Sequence, residues 1–453
     1  MVDIKIKKGL DLPIKNKPTG SVQQLVRPDV VALNLSCFEE LKFKLLAKPG
    51  ERVKIGQPLV YDKAVEGRNF VSPGSGVIKE VRRGVKRCLL DIVIELDSSD
   101  EHHPAVALEP KRASREQLLD QLMKGGLFAH IRSRPCDLLA DPKKSPKSIF
   151  VKAVETAPFT PPAEMQLEGF EGEFQLGLNA LNKLTDGPVH LVHRAGTPCR
   201  AFSNAEGVEK HSVSGPHPAS NLSIHIHHID PIYHSDETVW TVSALDVVAI
   251  GELLLHGRYH TQRVVSIAGP GFLAEQVGFF YARAGHPVKA MIQSRMSDEG
   301  VRFISGDILT GKSVSSEEFL GFYDTTLSSL PENKKRQLLH FFRLGIDKFT
   351  ATRTYLTGFL NLRQGEYDFT TSLHGEERAF VDEEIYAKVM PLPVPTVDFV
   401  KALMAEDYEL AEALGLLEVA AEDFALPTFI CPSKIEMVDI VQRGLRQYAK
   451  ETL

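Results

Sequence analysis

The feature that most constrains the fold is a change in hydrophobic periodicity about one hundred residues into the chain. Before it, short apolar runs such as Val30–Leu35 and Asp91–Leu96 are separated by turns containing glycine and proline, for example residues 72–76. Many short strands with this punctuation are typical of a small barrel or sandwich. After it, strands alternate with amphipathic helices, which indicates a sheet built from strand–helix–strand units.

The alternating region begins with a helix. Ser114 is its predicted N-cap, Gln117 completes a capping box, and Gly125 and Gly126 end it. Further strands are predicted at residues 148–154, 189–193, 222–229 and 239–242, with helices at residues 174–184 and after a cap at Asp246. The strand at residues 222–229 is predicted from the alternation in L-S-I-H-I-H-H-I. From about residue 316 onward the pattern is mostly helical, and the last helix is expected to start at C-P-S-K (Cys431–Lys434).

Charge and cysteine usage exclude several classes of protein. The net charge is −6, which does not favour a nucleic-acid partner. The longest uncharged stretch, between Lys210 and Asp230, carries five histidines and is not a membrane span. With no secretory signature at its start, the chain is expected to be soluble. The cysteines are widely spaced without a C-x-x-C motif, which argues against an iron–sulfur cluster or zinc ribbon and predicts free thiols (Cys37, Cys88, Cys136, Cys199, Cys431).

Four motifs have both a chemical and a structural interpretation. Lys63 resembles the modified lysine of a lipoyl or biotinyl carrier, but Gly56 precedes it too closely, so we interpret it as an unmodified hairpin lysine. The histidines at 217, 225, 227 and 228 suggest either a metal site or a hydrogen-bonded polar face, and no carboxylate or cysteine at ligand spacing supports the metal. Ser266–Phe272 lacks G-x-G-x-x-G spacing and predicts a tight turn. Cys431 is interpreted as part of a structural turn, although a thiol at a helix N-terminus can have a lowered pKa.

The segment G-G-L-F-A-H-I-R-S-R-P-C-D (Gly125–Asp137) connects a predicted helix to a predicted strand and carries two arginines. From its residues alone it suits a phosphate-binding loop, a catalytic loop or a basic connector. No G-x-x-x-x-G-K-[ST] or G-x-S-x-G motif occurs in the chain, so a nucleotide loop of that type and hydrolase chemistry have no support.

Eight motifs, taken in order, resemble the alpha subunit (NqrA) of the bacterial sodium-translocating NADH:quinone reductases. They lie at residues 7–14, 72–87, 214–220, 225–231, 245–251, 264–270, 369–379 and 427–436. The resemblance implies a peripheral subunit on the cytoplasmic face of the inner membrane, in a six-subunit complex that couples electron transfer from NADH to ubiquinone with Na⁺ export. It further implies that NADH, flavins and iron centres belong to the other five subunits (B to F), which also provide the membrane contact. This chain is expected to hold no catalytic, metal, flavin or iron–sulfur residues and no tightly bound cofactor.

The resemblance also implies a use for the Gly125–Asp137 segment. In similar flavin-binding subunits the equivalent turn is a glycine-rich loop that wraps the flavin phosphate, and the next strand leads into N-A-x-E-x-E-P. Here bulky residues follow Gly126, and the strand leads into K-A-V-E-T-A-P (Lys152–Pro158). We expect these bulky side chains to fill the flavin's space, and we expect the site to have lost its redox group.

Three hypotheses follow for this site. In the first, Phe128, His130, Arg132 and Arg134 bind a ubiquinone head group, because quinone sites combine apolar walls with a few donors to the carbonyl oxygens. In the second, the chain is a structural docking subunit of the same complex, and the two arginines pair with acidic partners or anionic head groups. In the third, a flavin or a carrier function at Lys63 is retained.

The predicted fold class is an α+β multidomain protein with four parts. They are a lipoyl-like barrel-sandwich hybrid domain (1–100), a Rossmann-like α/β domain (101–256), a small SLBB-type β-grasp domain (257–313) and a C-terminal helical domain (314–453).

Overall fold

The computed structural model describes residues 1–297, 300–333, 342–360 and 365–452. In these residues the strands are β1 (Asp3–Lys5), β2 (Val22–Gln24), β3 (Val30–Asn34), β4 (Phe43–Leu45), β5 (Arg52–Val53), β6 (Pro58–Asp62), β7 (Asn69–Val71), β8 (Gly76–Arg83), β9 (Leu89–Leu96), β10 (Arg132–Arg134), β11 (Leu138–Leu139), β12 (Ser148–Ala153), β13 (Val189–Arg194), β14 (Glu209–Ser214), β15 (Val239–Ser243), β16 (Gln262–Ala268), β17 (Gly278–Arg283), β18 (Val301–Ser305), β19 (Lys312–Val314) and β20 (Thr326–Pro331). The helices are α1 (Arg115–Lys124), α2 (Glu171–Leu184), α3 (Arg200–Ser203), α4 (Leu222–Ile229), α5 (Ala244–His256), α6 (Val288–Ile292), α7 (Leu356–Phe359), α8 (Glu383–Tyr386), α9 (Thr396–Met404), α10 (Tyr408–Ala413), α11 (Ala425–Ile430) and α12 (Met437–Thr452).

Two small antiparallel sheets follow the N-terminal segment, as the barrel-sandwich prediction requires. Their strand orders are β3-β9-β8-β5 and β4-β6-β7, and their apolar side chains share one buried core. β6 and β7 pair antiparallel, and Lys63 lies exposed in the hairpin that joins them. Strands β1 and β2 precede this unit in sequence but pair with strands of other sheets, β14 and β17.

A seven-stranded sheet with the order β1-β14-β13-β12-β15-β10-β11 forms the centre of the structure. The five strands from β1 to β15 in this order are parallel, and β10 and β11 extend the edge antiparallel. From β12 the chain adds β13 and β14 on one side, and then returns to place β15 on the other. Strand order therefore reverses between β12 and β15. Helices α1, α2 and α5 pack in the core on one face, whereas α4 and the C-terminal helices pack in the core on the other.

Local sequence signals account for the helix ends of this region. The Ser114 hydroxyl accepts a hydrogen bond from the Gln117 N–H, and the Gln117 side chain accepts one from the Ser114 N–H, so the predicted capping box is confirmed. Helix α1 ends at Lys124, just before the predicted stop at Gly125. Helix α5 is capped by Ser243 rather than by Asp246, which instead lies in its first turn and donates its N–H to the Ser243 hydroxyl.

The prediction of a strand at residues 222–229 is wrong, because these residues form α4. They lie in the connection between β14 and β15, which are parallel, and such a crossover is usually helical. Four consecutive residues, Ser223 to Ile226, are buried, so the alternation of isoleucine and histidine does not separate a core face from a solvent face. The His228 ring Nδ1 lies 2.9 Å from the Ile224 carbonyl oxygen one helical turn earlier.

A six-stranded mixed sheet with the order β19-β18-β20-β16-β17-β2 follows the central sheet. It continues through β20, beyond the predicted boundary at residue 313, and it includes β2 from the start of the chain. The division into four domains remains a prediction. The chain then contains helices α7 to α12, as predicted.

The last helix starts later than predicted. Helix α11 ends at Ile430, and Cys431 is its C-cap. Helix α12 begins at Met437 and buries Val441, Leu445 and Tyr448. All five cysteines are free thiols, as predicted. Among the described residues, no helix combines the length and apolar character needed to cross a bilayer.

The contact between α2 and α5 predicts a position-specific effect of alanine. A Cβ at Gly177 would collide with the Val247 carbonyl oxygen, whereas a Cβ at Gly172, in the same helix, would meet open space. Gly177→Ala is therefore expected to lower the free energy of unfolding by about 1–3 kcal/mol. Gly172→Ala is expected to raise it by up to about 1 kcal/mol. Urea unfolding of both variants measures the difference, and equal effects would contradict the close helix contact.

A buried neutral histidine predicts acid sensitivity. His225 is fully buried, and burial lowers its pKa to about 3 from an ordinary 6.5. The unfolded chain therefore binds one more proton than the folded chain between pH 6.5 and 3, so this residue makes stability fall as pH falls through that window. The slope is about 1.4 kcal/mol per pH unit for one group.

His225→Gln keeps a donor for the Ala219 carbonyl but does not titrate. We expect its free energy of unfolding to fall less than that of the unmodified chain between pH 7 and pH 5.5, by about 1 kcal/mol. His234→Gln, at an exposed position, is the matched control and should keep the original pH dependence. An unchanged pH dependence in His225→Gln would contradict the assignment.

Candidate functional site

The Gly125–Asp137 segment joins α1 to the edge of the central sheet. Gly126 has a φ of +78°, a left-handed conformation that glycine adopts without strain, and a 3-10 turn over Phe128–His130 follows it. β10 then pairs antiparallel with β15, and a tight turn returns the chain to β11. Because Arg132 and Arg134 are two residues apart on one strand, they share a face of the sheet.

The structure brings three of the four predicted site residues together. His130, Arg132 and Arg134 line a cavity of about 480 Å³. Phe128 does not line it. Its ring is fully buried in the core and packs edge to face against the ring of Trp240, with 5.6 Å between the ring centres.

The cavity lies at the carboxyl ends of β12 and β15, where the strand order reverses. In α/β sheets this switch point is the usual position of a ligand crevice. Lys152 and Glu155 enter it from the end of β12, and Thr241 to Asp246 from the end of β15 and the start of α5. More distant segments add further side chains to its wall (Gln166, Arg263, Tyr323, Glu422).

His130 and Asp246 form a buried pair in the wall. The His130 Nδ1 lies 2.7 Å from Oδ1 of Asp246, and the Ser243 hydroxyl donates to the other carboxylate oxygen at 2.6 Å. Burial alone would raise the pKa of Asp246, but His130 and the Ser243 hydrogen bond outweigh it and hold the pKa below its ordinary value. The carboxylate is therefore ionised at neutral pH, and the His130 Nε2 has no hydrogen-bond partner among the described residues.

Arg132 is held by Asp137 and Tyr323. Its Nη2 donates to Oδ2 of Asp137 at 2.8 Å, and its guanidinium lies 5.8 Å from the centre of the Tyr323 ring. The Tyr323 hydroxyl donates to the Ala129 carbonyl at 2.6 Å, and burial raises the pKa of Tyr323, so the phenol is neutral. The Arg132 guanidinium is about one-third exposed and remains reachable from the cavity.

Arg134 is almost fully buried, with 2% of its surface exposed. Its Nη1 donates to the Ser223 hydroxyl of α4 at 2.9 Å, and its Nη2 lies 3.8 Å from Oε1 of Glu422. Its Nε lies 3.6 Å from Oδ1 of Asp137 and makes no hydrogen bond within the described chain. Burying a guanidinium N–H without a hydrogen-bond partner costs free energy.

Lys152 and Glu422 complete the charge distribution. The Lys152 Nζ lies 2.9 Å from Oε2 of Glu155. Burial, opposed by Lys152 and reinforced by Asp423, raises the pKa of Glu422 to about 7.

The apolar residues that follow Gly126 pack in the core. Leu127, Phe128, Ala129 and Ile131 are buried in apolar clusters and do not line the cavity. The cavity wall combines charged side chains with small and apolar ones, and the loss of a flavin from this site stays a prediction.

Most of the additional cavity residues are not indicated by the sequence. Lys152 and Glu155 lie in the K-A-V-E-T-A-P segment, and Asp246 is predicted only as a helix cap. Those three positions lie at or just after the carboxyl ends of strands, which is the local signal for a cleft residue. Arg263, Tyr323 and Glu422 come from distant segments, and no local pattern indicates that they converge here.

The other motifs have separate environments. The His227 Nδ1 lies 2.9 Å from Oε2 of Glu418, the His217 Nδ1 lies 3.1 Å from the Thr156 hydroxyl, and His225 and His228 contact backbone carbonyls. Within the described chain these four histidines do not form one ligand set. Gly269, in the predicted turn after β16, has a φ of +113°, and Cys431 is buried with its Sγ 3.1 Å from the Tyr386 hydroxyl.

Comparison with known proteins gives matches along the whole chain. A family profile described as the NqrA N-terminal barrel-sandwich hybrid domain matches residues 4–97, and one described as the NqrA second alpha/beta domain matches residues 113–259. They confirm these two parts of the predicted fold.

Curated relatives match almost end to end. The NqrA subunit of the Na(+)-translocating NADH-quinone reductase of Chlamydia caviae is 39% identical, over 99% of this chain and 97% of the relative. Proteins of the same description from Chlamydia pneumoniae and Cellvibrio japonicus are each 36% identical over 99% of this chain, covering 98% and 100% of their own lengths. A solved NAD⁺-reducing [NiFe]-hydrogenase chain aligns with a TM-score of 0.38 at 10% identity, over 74% of this chain and 61% of that one, a similarity too weak to support an argument.

Proposed function

Because this chain belongs to the NqrA family of Na(+)-translocating NADH-quinone reductase subunits, we propose that its switch-point cavity binds the quinone head group. In this proposal the chain contributes to the quinone-reduction step of the complex without a redox centre of its own. The other five subunits, B to F, hold the NADH site, the flavins and the iron centres. They also provide the membrane contact that places this chain at the cytoplasmic face of the bacterial inner membrane.

The observation that carries the proposal is a pair of buried nitrogen atoms without partners. Nε of Arg134 and Nε2 of His130 belong to residues that line the same cavity, and neither makes a hydrogen bond within the described chain. Buried polar groups in native structures are normally satisfied, so such groups indicate a missing partner. One carbonyl oxygen of a quinone accepts from the guanidinium N–H, and the other accepts from the Nε2–H of His130 in its imidazolium form, whose Nδ1–H faces Asp246.

The charges in the cavity suit the reduction as well as the binding. A quinone becomes a quinol by taking up two electrons and two protons, so negative charge develops on its oxygens. Arg132, Arg134 and Lys152 stabilise that charge when they are fixed in advance and shielded from water. Glu422, with its pKa raised to about 7, is a source for one proton, and the His130–Asp246 pair positions an imidazole beside the second oxygen. The cavity volume of about 480 Å³ lies in the usual range for small-molecule sites.

A second candidate function is docking of the other components of the complex. Among the described residues of the range 344–381, five apolar side chains are each at least 64% exposed (Leu344, Ile346, Phe359, Leu373, Val381). Apolar surface of this kind commonly marks a protein interface. In this alternative the chain organises the complex, and Arg132 and Arg134 only stabilise the fold through their contacts with Asp137 and Ser223.

Quinone binding is testable with the single tryptophan, Trp240, which precedes the cavity residue Thr241 on β15. We expect saturable quenching of its fluorescence when a short-chain ubiquinone is titrated into the full chain. Arg132→Ala removes a positive charge from the cavity and His130→Ala removes the proposed donor, and each should raise Kd at least about tenfold, since a hydrogen bond to a charged group is worth roughly 1.5–3 kcal/mol. The matched controls, Arg112→Ala and His234→Ala, alter exposed positions and should leave Kd unchanged.

Failure to saturate, or equal Kd values in the cavity and control variants, would contradict the binding site. Thermal unfolding of each variant establishes that a loss of binding is not a loss of fold.

The docking alternative makes a different prediction for the assembled complex. Leu344→Glu and Phe359→Glu place charge on exposed apolar positions, and we expect them to reduce the amount of this chain that copurifies with its partners in the complex. Val26→Glu, at a position 86% exposed, is the control and should copurify normally. Normal copurification of both test variants would remove the support for this interface, whatever the quinone titration gives.

A further inference from the structure

A second constellation of polar side chains lies at the opposite end of the central sheet from the cavity. His190 is the second residue of β13, and Glu209 and His211 are the first and third residues of β14. His190 and Glu209 are register partners on neighbouring parallel strands, and His211 lies on the same face two residues later. The three side chains therefore converge at the amino ends of these strands, on the face covered by α4.

The distances among their ligand atoms suit one metal ion. The His190 Nδ1 lies 3.1 Å from the His211 Nε2 and 3.4 Å from Oε2 of Glu209, and that oxygen lies 3.9 Å from the His211 Nε2. The nearest point equidistant from three atoms with these separations lies in their plane, about 2.0 Å from each, which is the usual length of zinc–nitrogen and zinc–oxygen bonds.

Burial and charge agree with a ligand role. The His190 and His211 side chains are 4% and 2% exposed, whereas Glu209 is 59% exposed and gives an ion a path from solvent. An imidazole binds a metal ion in its neutral form, so metal binding is expected to weaken as pH falls.

In the metal-free chain the His190 Nδ1 and the His211 Nε2 are close enough for a hydrogen bond, and a bound ion has to displace the proton between them. The Val2 N–H donates to the His211 Nδ1 at 3.1 Å, which places the His211 proton on Nε2 and directs it at His190. A metal ion between the two rings takes the position of that proton, and the proton moves to Nδ1. The Val2 N–H then loses its acceptor, which weakens the attachment of the first residues to the sheet.

We propose that His190, Glu209 and His211 form a site for a divalent transition-metal ion, with Zn²⁺ as the best fit and a fourth position open to water. Two imidazoles and one carboxylate are a common zinc ligand set with an open position. The site shares no residue with the switch-point cavity, so the test of metal binding is independent of the test of quinone binding. Its occupancy would join β13 to β14 and release the hydrogen bond that holds the start of the chain.

The test is titration of the metal-stripped full chain with Co²⁺, whose visible bands report tetrahedral coordination, followed by displacement with Zn²⁺. We expect one equivalent to bind. Glu209→Gln, at an exposed position, should weaken binding at least about tenfold, and His211→Gln should abolish it. Glu206→Gln, exposed and just before β14, is the matched control and should bind as the unmodified chain does.

Absence of saturable one-equivalent binding would overturn the proposal, as would equal affinities in Glu209→Gln and Glu206→Gln. Thermal unfolding in the presence of a chelator verifies that each variant is folded. As a second readout, Zn²⁺ should raise the unfolding temperature of the unmodified chain and of Glu206→Gln but not that of Glu209→Gln.

Discussion

The reversal of strand order between β12 and β15 is the constraint on which the rest of the structure depends. β12 lies in the middle of the sheet, and the connections from it and back to β15 diverge to opposite sides. Above the carboxyl ends of these two strands no crossover fills the space, and a cleft results. The antiparallel β10 can pair only with the free edge of β15, which brings the Gly125–Asp137 segment and its arginines beside that cleft.

Charged side chains at the switch-point cavity are the second main feature of the structure, and their contribution to stability alone does not explain them. Four cations and four carboxylates line the cavity (Arg132, Arg134, Lys152, Arg263, Asp137, Glu155, Asp246, Glu422). Removing such groups from water is costly, and replacing a buried ion pair by apolar residues is often neutral or stabilising. Their pairing is also incomplete, because the Arg134 Nε is left without a hydrogen bond among the described residues. We propose that this set serves a ligand in the cavity. α4 ties it to the C-terminal region, since Ser223 accepts from Arg134 and Asn221 donates to Asp423.

Much of the fold was predictable because its signals are local. The capping box at Ser114, the helix stop at Gly125 and the strands at residues 148–153 and 189–194 each depend on residues within a few positions. The strand predicted at residues 222–229 failed because isoleucine and histidine alternate within a helix buried on several sides, where periodicity no longer marks a face. The connection between the parallel strands β14 and β15 needs a crossover, which is usually helical, and this requirement outweighs the alternating pattern.

The candidate site was predictable only in part, for the same physical reason. His130, Arg132 and Arg134 belong to one segment and were found together, whereas Glu422 reaches the cavity across almost three hundred residues of sequence. Phe128 is included in the predicted site because an aromatic residue beside two arginines suits a ring-binding site equally well in sequence. The structure places it against Trp240 in the core. Likewise His190, Glu209 and His211 are brought together by the register of two strands, which no spacing in the sequence indicates.

The Gly125–Asp137 segment therefore performs two separable tasks. Leu127, Phe128 and Ile131 face apolar cores and hold the connection between α1 and β10, so they serve the fold. His130, Arg132 and Arg134 face the cavity, and the two arginines do so together because β10 puts alternate residues on one side. A glycine-rich loop would offer backbone N–H groups to a phosphate, whereas this segment offers charged side chains to a cavity that distant parts of the chain complete. The apolar residues thus fix the backbone path of this connection, and in the proposed function the polar residues provide the recognition.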